Sequence, residues 1–125
     1  MRALLLDPTR SDIGDVVRMG EKIGLTVDTC STISQMGNAV RDKRYDVLLV
    51  NITDRQGLEA VGAVCKDGPE LPVIVMTAAK NQKAAAAALS RGAQDFLVTE
   101  NCTSETLAHC LQIAEARLIA RHTAE

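Results

Sequence analysis

Four short apolar runs in this chain, ALLL, VLLV, VIVM and FLV, close on the polar residues Asp7, Asn51, Thr77 and Thr99. In open α/β sheets chemistry sits just beyond the carboxyl ends of the strands, so these side chains decide what such a pocket can do. They offer one carboxylate, one amide and two hydroxyls. A carboxylate oxygen can attack phosphorus and carry an acyl phosphate, whereas the amide of Asn51 is uncharged and a poor nucleophile. Magnesium is a hard cation that wants carboxylate oxygens in near-octahedral array, and Asp7 beside Pro8 supplies one. No metal site is therefore expected. Asp7 reads equally well as a cap of the following helix, and threonine at a strand end, as at Thr77, is ordinary on β-propensity alone. The first and third turns, DPTRSD and NITDRQG, are not glycine-rich phosphate loops. Cys30, Cys65, Cys102 and Cys110 show no CxxC and no His/Cys pair at ligand spacing, so they read as small hydrophobes or bystanders. His109 and His122 read as solvated helix residues.

These residues must be positioned by strands buried on both faces. Val47 to Val50 is short for a helix and apolar throughout, the mark of a parallel strand sandwiched between helices, and Tyr45 to Thr53 is the stretch that organises the rest. Ala3 to Leu6 is a first strand, stopped by Asp7 and Pro8. Helix one should be capped near Ser11 or Asp12, turn Ile13, Val16, Val17 and Ile23 inward, and end at Gly24. Leu25 to Cys30 is strand two, with the alternating polarity of an edge. Helix two spans Ile33 to Lys43 with Met36 and Val40 inward, and helix three spans Gly57 to Cys65 with Leu58, Val61 and Val64 inward, closed by Gly68 and Pro69. Pro72 to Thr77 is strand four. Helix four, Gln82 to Arg91, stops at Gly92 and contains the run Ala84 to Ala88, which suits close packing on the sheet or a symmetric contact between protomers. Asp95 to Thr99 is strand five. The last helix starts near Thr103 or Ser104 with Glu105 in its first turn and carries the stripe Leu107, Leu111, Ala114 and Leu118.

Strand and helix alternate five times, and right-handed crossovers between parallel strands then require a three-layer α/β/α sandwich. At 125 residues the chain reads as one domain with a core of its own. One Phe, one Tyr and no Trp predict an aliphatic core. A net charge of −2 gives no bulk attraction to nucleic acid or an anionic membrane. No apolar run reaches the ~18 residues of a membrane helix and no signal peptide precedes the first strand, so a cytoplasmic setting is expected.

The blocks RALLLDP, YDVLLVNI, LPVIVMTA and GAQDFLV, in that order and spacing, resemble those of the receiver domain of two-component response regulators over nearly the whole chain. The resemblance implies a flavodoxin-like (CheY-like) fold with strand order 2-1-3-4-5. In that family an acidic pair after strand one binds Mg²⁺, an aspartate ending strand three takes a phosphoryl group from a histidine kinase, a Thr or Ser ends strand four, and a lysine ends strand five. Carried onto this chain, the first acidic position is Asp7 and matches. The second is Pro8, the phosphoacceptor position is Asn51, the hydroxyl position is Thr77, which matches, and the lysine position is Thr99. The losses are mutually consistent: clustered carboxylates repel and need a cation, and a lysine at position 99 would have no anion to serve. Phosphoryl transfer is positioning and charge neutralisation, so the missing metal and cation remove what would do the work.

The loop after strand three is shorter than in the family, and Asp54 is a candidate replacement acceptor there, against the reading of a solvated turn residue beside Arg55. Phe96 falls on the aromatic position whose rotamer reports phosphorylation in the family, or is a half-buried strand aromatic. The tail ARLIARHTAE resembles linkers to a sensor, kinase or cyclase domain, beginning at about residue 118. The resemblance implies a degenerate, non-enzymatic receiver governed by partner binding or dimerisation, with Mg²⁺ binding weak or absent. The implied partners are a sensor histidine kinase, a C-terminal output domain, or a second copy through helix four, strand five and helix five; no nucleic acid or membrane is implied. The alternatives are a flavodoxin-like domain that binds a small ligand, a receiver phosphorylated at a non-standard aspartate such as Asp54, and a domain that docks a kinase without accepting a phosphoryl group.

Overall fold

The structure, a computed structural model, describes residues 1–7, 13–42, 45–52, 55–65, 71–78, 82–93 and 95–123. The strands are β1 (Arg2–Leu6), β2 (Thr26–Cys30), β3 (Val47–Asn51), β4 (Val73–Thr77) and β5 (Asp95–Val98). They alternate with α1 (Ile13–Lys22), α2 (Ile33–Asp42), α3 (Arg55–Cys65), α4 (Gln82–Ser90) and α5 (Ser104–Thr123), and a 3₁₀ turn over Thr99–Asn101 joins β5 to α5. The sheet is parallel throughout in the order β2-β1-β3-β4-β5, as the resemblance implied. No helix among the described residues is long and apolar enough to cross a membrane.

Because successive strand side chains point to opposite faces, each apolar run serves two cores. Leu4, Leu6, Leu48, Val50, Val73 and Val75 pack on one side with Met36 of α2, Ala60 and Val61 of α3 and Ala88 of α4. Ala3, Leu5, Val47, Leu49, Ile74 and Met76 pack on the other with Val16 of α1 and with Leu107, Leu111 and Ala114 of α5. The sandwich has three layers as a result. Strand β2, at an edge, is only partly covered, which explains its polar alternation.

Short polar residues set the helix ends. Thr32 Oγ1 accepts from the Gln35 N–H at 3.1 Å while Gln35 Oε1 reaches back to the Ser31 N–H at 2.9 Å. On α5 the exchange is reciprocal: Thr103 Oγ1 accepts from the Thr106 N–H at 3.1 Å and Thr106 Oγ1 accepts from the Thr103 N–H at 2.7 Å. Both are capping boxes that satisfy orphan backbone donors. The stops expected at Gly24 and Gly92 are both present with positive φ, +79° and +116°.

Several boundaries and orientations differ from the sequence reading. Strand five ends at Val98, because the Thr99 carbonyl accepts from the Cys102 N–H at 3.3 Å and Thr99 opens the 3₁₀ turn, its hydroxyl 2.9 Å from Glu100 Oε1. Helix three begins at Arg55, ahead of Gly57. Phe96, on the other edge of the sheet, leaves 37 % of its surface uncovered. Tyr45 precedes β3 and lies in the core, so that core is not purely aliphatic; its hydroxyl donates to Asp28 Oδ2 at 2.9 Å, and Arg2 pairs with the same oxygen at 2.9 Å while lying 5.5 Å from the tyrosine ring centroid. Val17 and Ile23 of the first amphipathic segment are partly buried. Ala85 and Ala88 are buried and Ala84 packs against them, so the alanine run lies on the sheet. Cys110 is buried and Cys30 and Cys102 partly so, all as free thiols; burial raises Cys30 to about 11, and burial with the Asp95 carboxylate raises Cys110 to about 12. They are protonated fillers at neutral pH. The helix-one cap at Ser11 or Asp12 and the Gly68–Pro69 stop lie outside the described residues, and the side chains of Ile13, Val40, Val64, Cys65, Leu118 and His122 are likewise undescribed.

Leu49, in the middle strand, is fully buried. Its truncation to alanine removes methyl groups from a site that cannot collapse around them, and Leu49→Ala should destabilise the chain by about 2–5 kcal/mol. Urea unfolding checks this as a lowered midpoint with an unchanged slope.

Candidate functional site

An aliphatic sheet has little capacity to solvate polar groups, so those it does bury must satisfy one another. Among the described residues the buried polar side chains are Asp7, Asn51 and Thr77, at 1, 9 and 0 % exposure. All three stand at the carboxyl edge of the sheet. Register brings them together: Leu6 lies opposite Val50, Asn51 opposite Met76, and Thr77 opposite Val98.

The bonding follows from these positions. Asp7 is anchored by its backbone N–H, which donates to the Cys30 carbonyl at 3.0 Å. Asn51 Nδ2 donates to Asp7 Oδ1 at 3.3 Å, joining the ends of β1 and β3. Thr77 Oγ1 donates to the Ala78 carbonyl at 3.2 Å, and Thr99 Oγ1 lies 3.4 Å from the Thr77 carbonyl oxygen. No buried side-chain nitrogen or oxygen among the described residues lacks a partner. Pro8 and Asp54 lie outside the described residues.

This arrangement can hold hydrogen bonds but has no nucleophile at Asn51. Among the described residues the group that faces Asp7 is an N–H donor, where a hard cation would require another oxygen. No group of three or more His, Cys, Asp or Glu among the described residues could hold a metal. The amide proton takes the place of positive charge beside the carboxylate.

A second feature lies on the outer edge of the sheet. Phe96 lines an open groove of about 360 Å³ between β5 and α5, with Leu97, Glu105, His109, Cys110 and Ile113 among its other walls. Asp95 stands at its β5 end, accepts from the Phe96 N–H at 2.8 Å and lies 3.8 Å from Arg117 Nη1. The sequence reading singled out Phe96 but not the groove. Its signal was the i, i+4, i+8 spacing of Glu105, His109 and Ile113, which puts them on one side of α5.

The family model described as response regulator receiver domain matches residues 9–112. Over 112 residues the chain is 30 % identical to the probable transcriptional regulatory protein y4xI of Sinorhizobium fredii, covering 86 % of this chain and 48 % of that protein. Over 97 residues it is 32 % identical to the photosynthetic apparatus regulatory protein RegA of Rhodobacter capsulatus, covering 75 % of this chain and 52 % of that one. The chain thus spans about half the length of these relatives. Among solved structures, the receiver domain of NtrX from Brucella abortus superposes with a TM-score of 0.76 at 23 % identity, covering 93 % of this chain and 97 % of that one. The signal receiver domain of a modulated diguanylate cyclase from Desulfovibrio desulfuricans gives 0.78 at 18 %, covering 96 % and 97 %. These likenesses show the fold.

Replacing the amide by a carboxylate tests the pocket. Asn51→Asp removes a donor and sets two carboxylates side by side, which should destabilise the chain by about 1–3 kcal/mol at neutral pH. Like-charge repulsion raises the folded pair's titration above the unfolded carboxyl range, so the deficit should be absent below about pH 4 and open as pH rises. Melting temperatures across pH check the sign, and added Mg²⁺ should raise the melting temperature of the variant and leave that of the parent unchanged.

Proposed function

The chain belongs to the response regulator receiver domain family, and from that premise we propose that it works as a degenerate receiver, relaying a signal through protein contacts without taking up a phosphoryl group. One observation carries this reading: at the phosphoacceptor position stands Asn51, its amide nitrogen donating to Asp7. An aspartate there would offer an oxygen nucleophile and a second metal ligand; the amide offers neither. Thr99 at the lysine position supports the same reading, since its hydroxyl carries no charge to neutralise a transferring phosphoryl group and is turned to Glu100.

The state of the domain is then governed by what binds it. The partner is a sensor histidine kinase, an output domain joined beyond α5, or a second copy through α4, β5 and α5, in the cytoplasm. Exposed apolar side chains on that side, Leu89, Phe96 and Ile119, support a contact there. The domain itself is not an enzyme on this reading.

Incubation with Mg²⁺ and acetyl phosphate, followed by intact-mass measurement, should leave the chain unmodified while a phosphoaccepting receiver treated alongside gains a phosphoryl group. Beryllofluoride with Mg²⁺ should leave the amide chemical shifts of β3, β4 and β5 unmoved. A phosphorylated species on Asp7, Asp54 or any other aspartate would overturn the reading.

A further inference from the structure

We propose that the β5–α5 groove docks a segment of a partner protein that presents a large apolar side chain next to an arginine or lysine. The inference rests on the reading of the chain as a partner-governed receiver and specifies what the partner brings. The floor of the groove is apolar, formed by the buried Leu97 and Cys110, and Phe96 on one wall leaves 37 % of its surface uncovered. A volume of about 360 Å³ lies in the lower part of the roughly 300–1,000 Å³ typical of binding pockets, enough to receive large side chains.

Among the described residues that line the groove, Asp95 and Glu105 are acidic and none is a lysine or arginine. His109 stands between Glu105 and Ile113 along the same wall. Arg117 stands at the Asp95 end, where it makes a 3.8 Å surface ion pair with its own side chain 57 % exposed, a pairing of small net value that an incoming guanidinium can replace. Carboxylates at the mouth of an apolar slot repel acidic partners and orient basic ones, which is how charge confers specificity at an interface.

The shape favours a chain segment over a compact small molecule. Glu105, His109 and Ile113 succeed one another along α5, so the groove is an extended row of contacts with Phe96 opposite. A helical or extended segment can lie along that row, sink one side chain onto Leu97 and Cys110, and set its cation against Glu105 or Asp95.

The test is selection from a random displayed peptide library on the intact chain, with Glu105→Lys as the counter-target. Enriched peptides should carry arginine or lysine beside leucine or an aromatic residue, bind about tenfold more weakly to Glu105→Lys and to Phe96→Ala, and shift the amide resonances of Phe96, Leu97, His109 and Ile113. Circular dichroism identical to the parent's keeps either variant interpretable. Enrichment of acidic peptides, no enrichment, or undiminished binding to Glu105→Lys would overturn the proposal. A concentration-dependent dimer in sedimentation that Glu105→Lys abolishes would also overturn it, assigning the groove to a second copy. Repeating the binding with acetyl phosphate and Mg²⁺ keeps the two readings apart: a phosphorylated chain refutes phosphorylation independence, whereas the basic-peptide preference stands or falls on the charge series.

Discussion

The carboxyl edge of this sheet is organised by the hydrogen bond from Asn51 to Asp7. Both residues are enclosed by aliphatic strands, where an unpaired polar group is expensive and an unpaired charge more so. A pocket with several carboxylates is stabilised by a cation. One carboxylate faced by an amide can persist without one. The bond also ties the end of β1 to the central strand β3, so the polar pair contributes to the alignment of the strand ends as well as to their chemistry.

That alignment in turn depends on the two-sided burial of the strands. Leu48 and Val50 serve the core under α2, α3 and α4, while Val47 and Leu49 serve the core under α1 and α5. A slip of one residue in β3 would exchange the two sets, and it would carry Asn51 away from Asp7. The same packing that stabilises the domain therefore holds the pocket in register.

Much of this was legible in the residues themselves. The unbroken apolar runs marked buried parallel strands, their polar terminators marked the pocket, and Gly24 and Gly92 marked helix stops, because each of those signals is local and backbone-borne. What could not be read was which atom faces which. The 3₁₀ turn at Thr99 is closed by the Cys102 N–H donating to the Thr99 carbonyl, and the partial exposure of Phe96 accompanies the place of β5 at the edge of the sheet. The groove arises from a strand and a helix that meet only in the folded chain, so composition alone does not reveal it. The burial of Tyr45 was likewise missed, since a lone aromatic before a strand gives no periodic signal.

That tyrosine gives the domain a built-in optical reporter. With no tryptophan and one phenylalanine in the chain, near-ultraviolet emission arises essentially from Tyr45, whose hydroxyl is held against the Asp28 carboxylate under the Arg2 guanidinium. Burial, first, and then the bond to Asp28 raise the phenol's ionisation above its ordinary range. Fluorescence of the native chain consequently watches the junction of β1, β2 and the entry to β3, at the end of the sheet remote from the pocket, and a perturbation confined to the pocket would pass unseen by it.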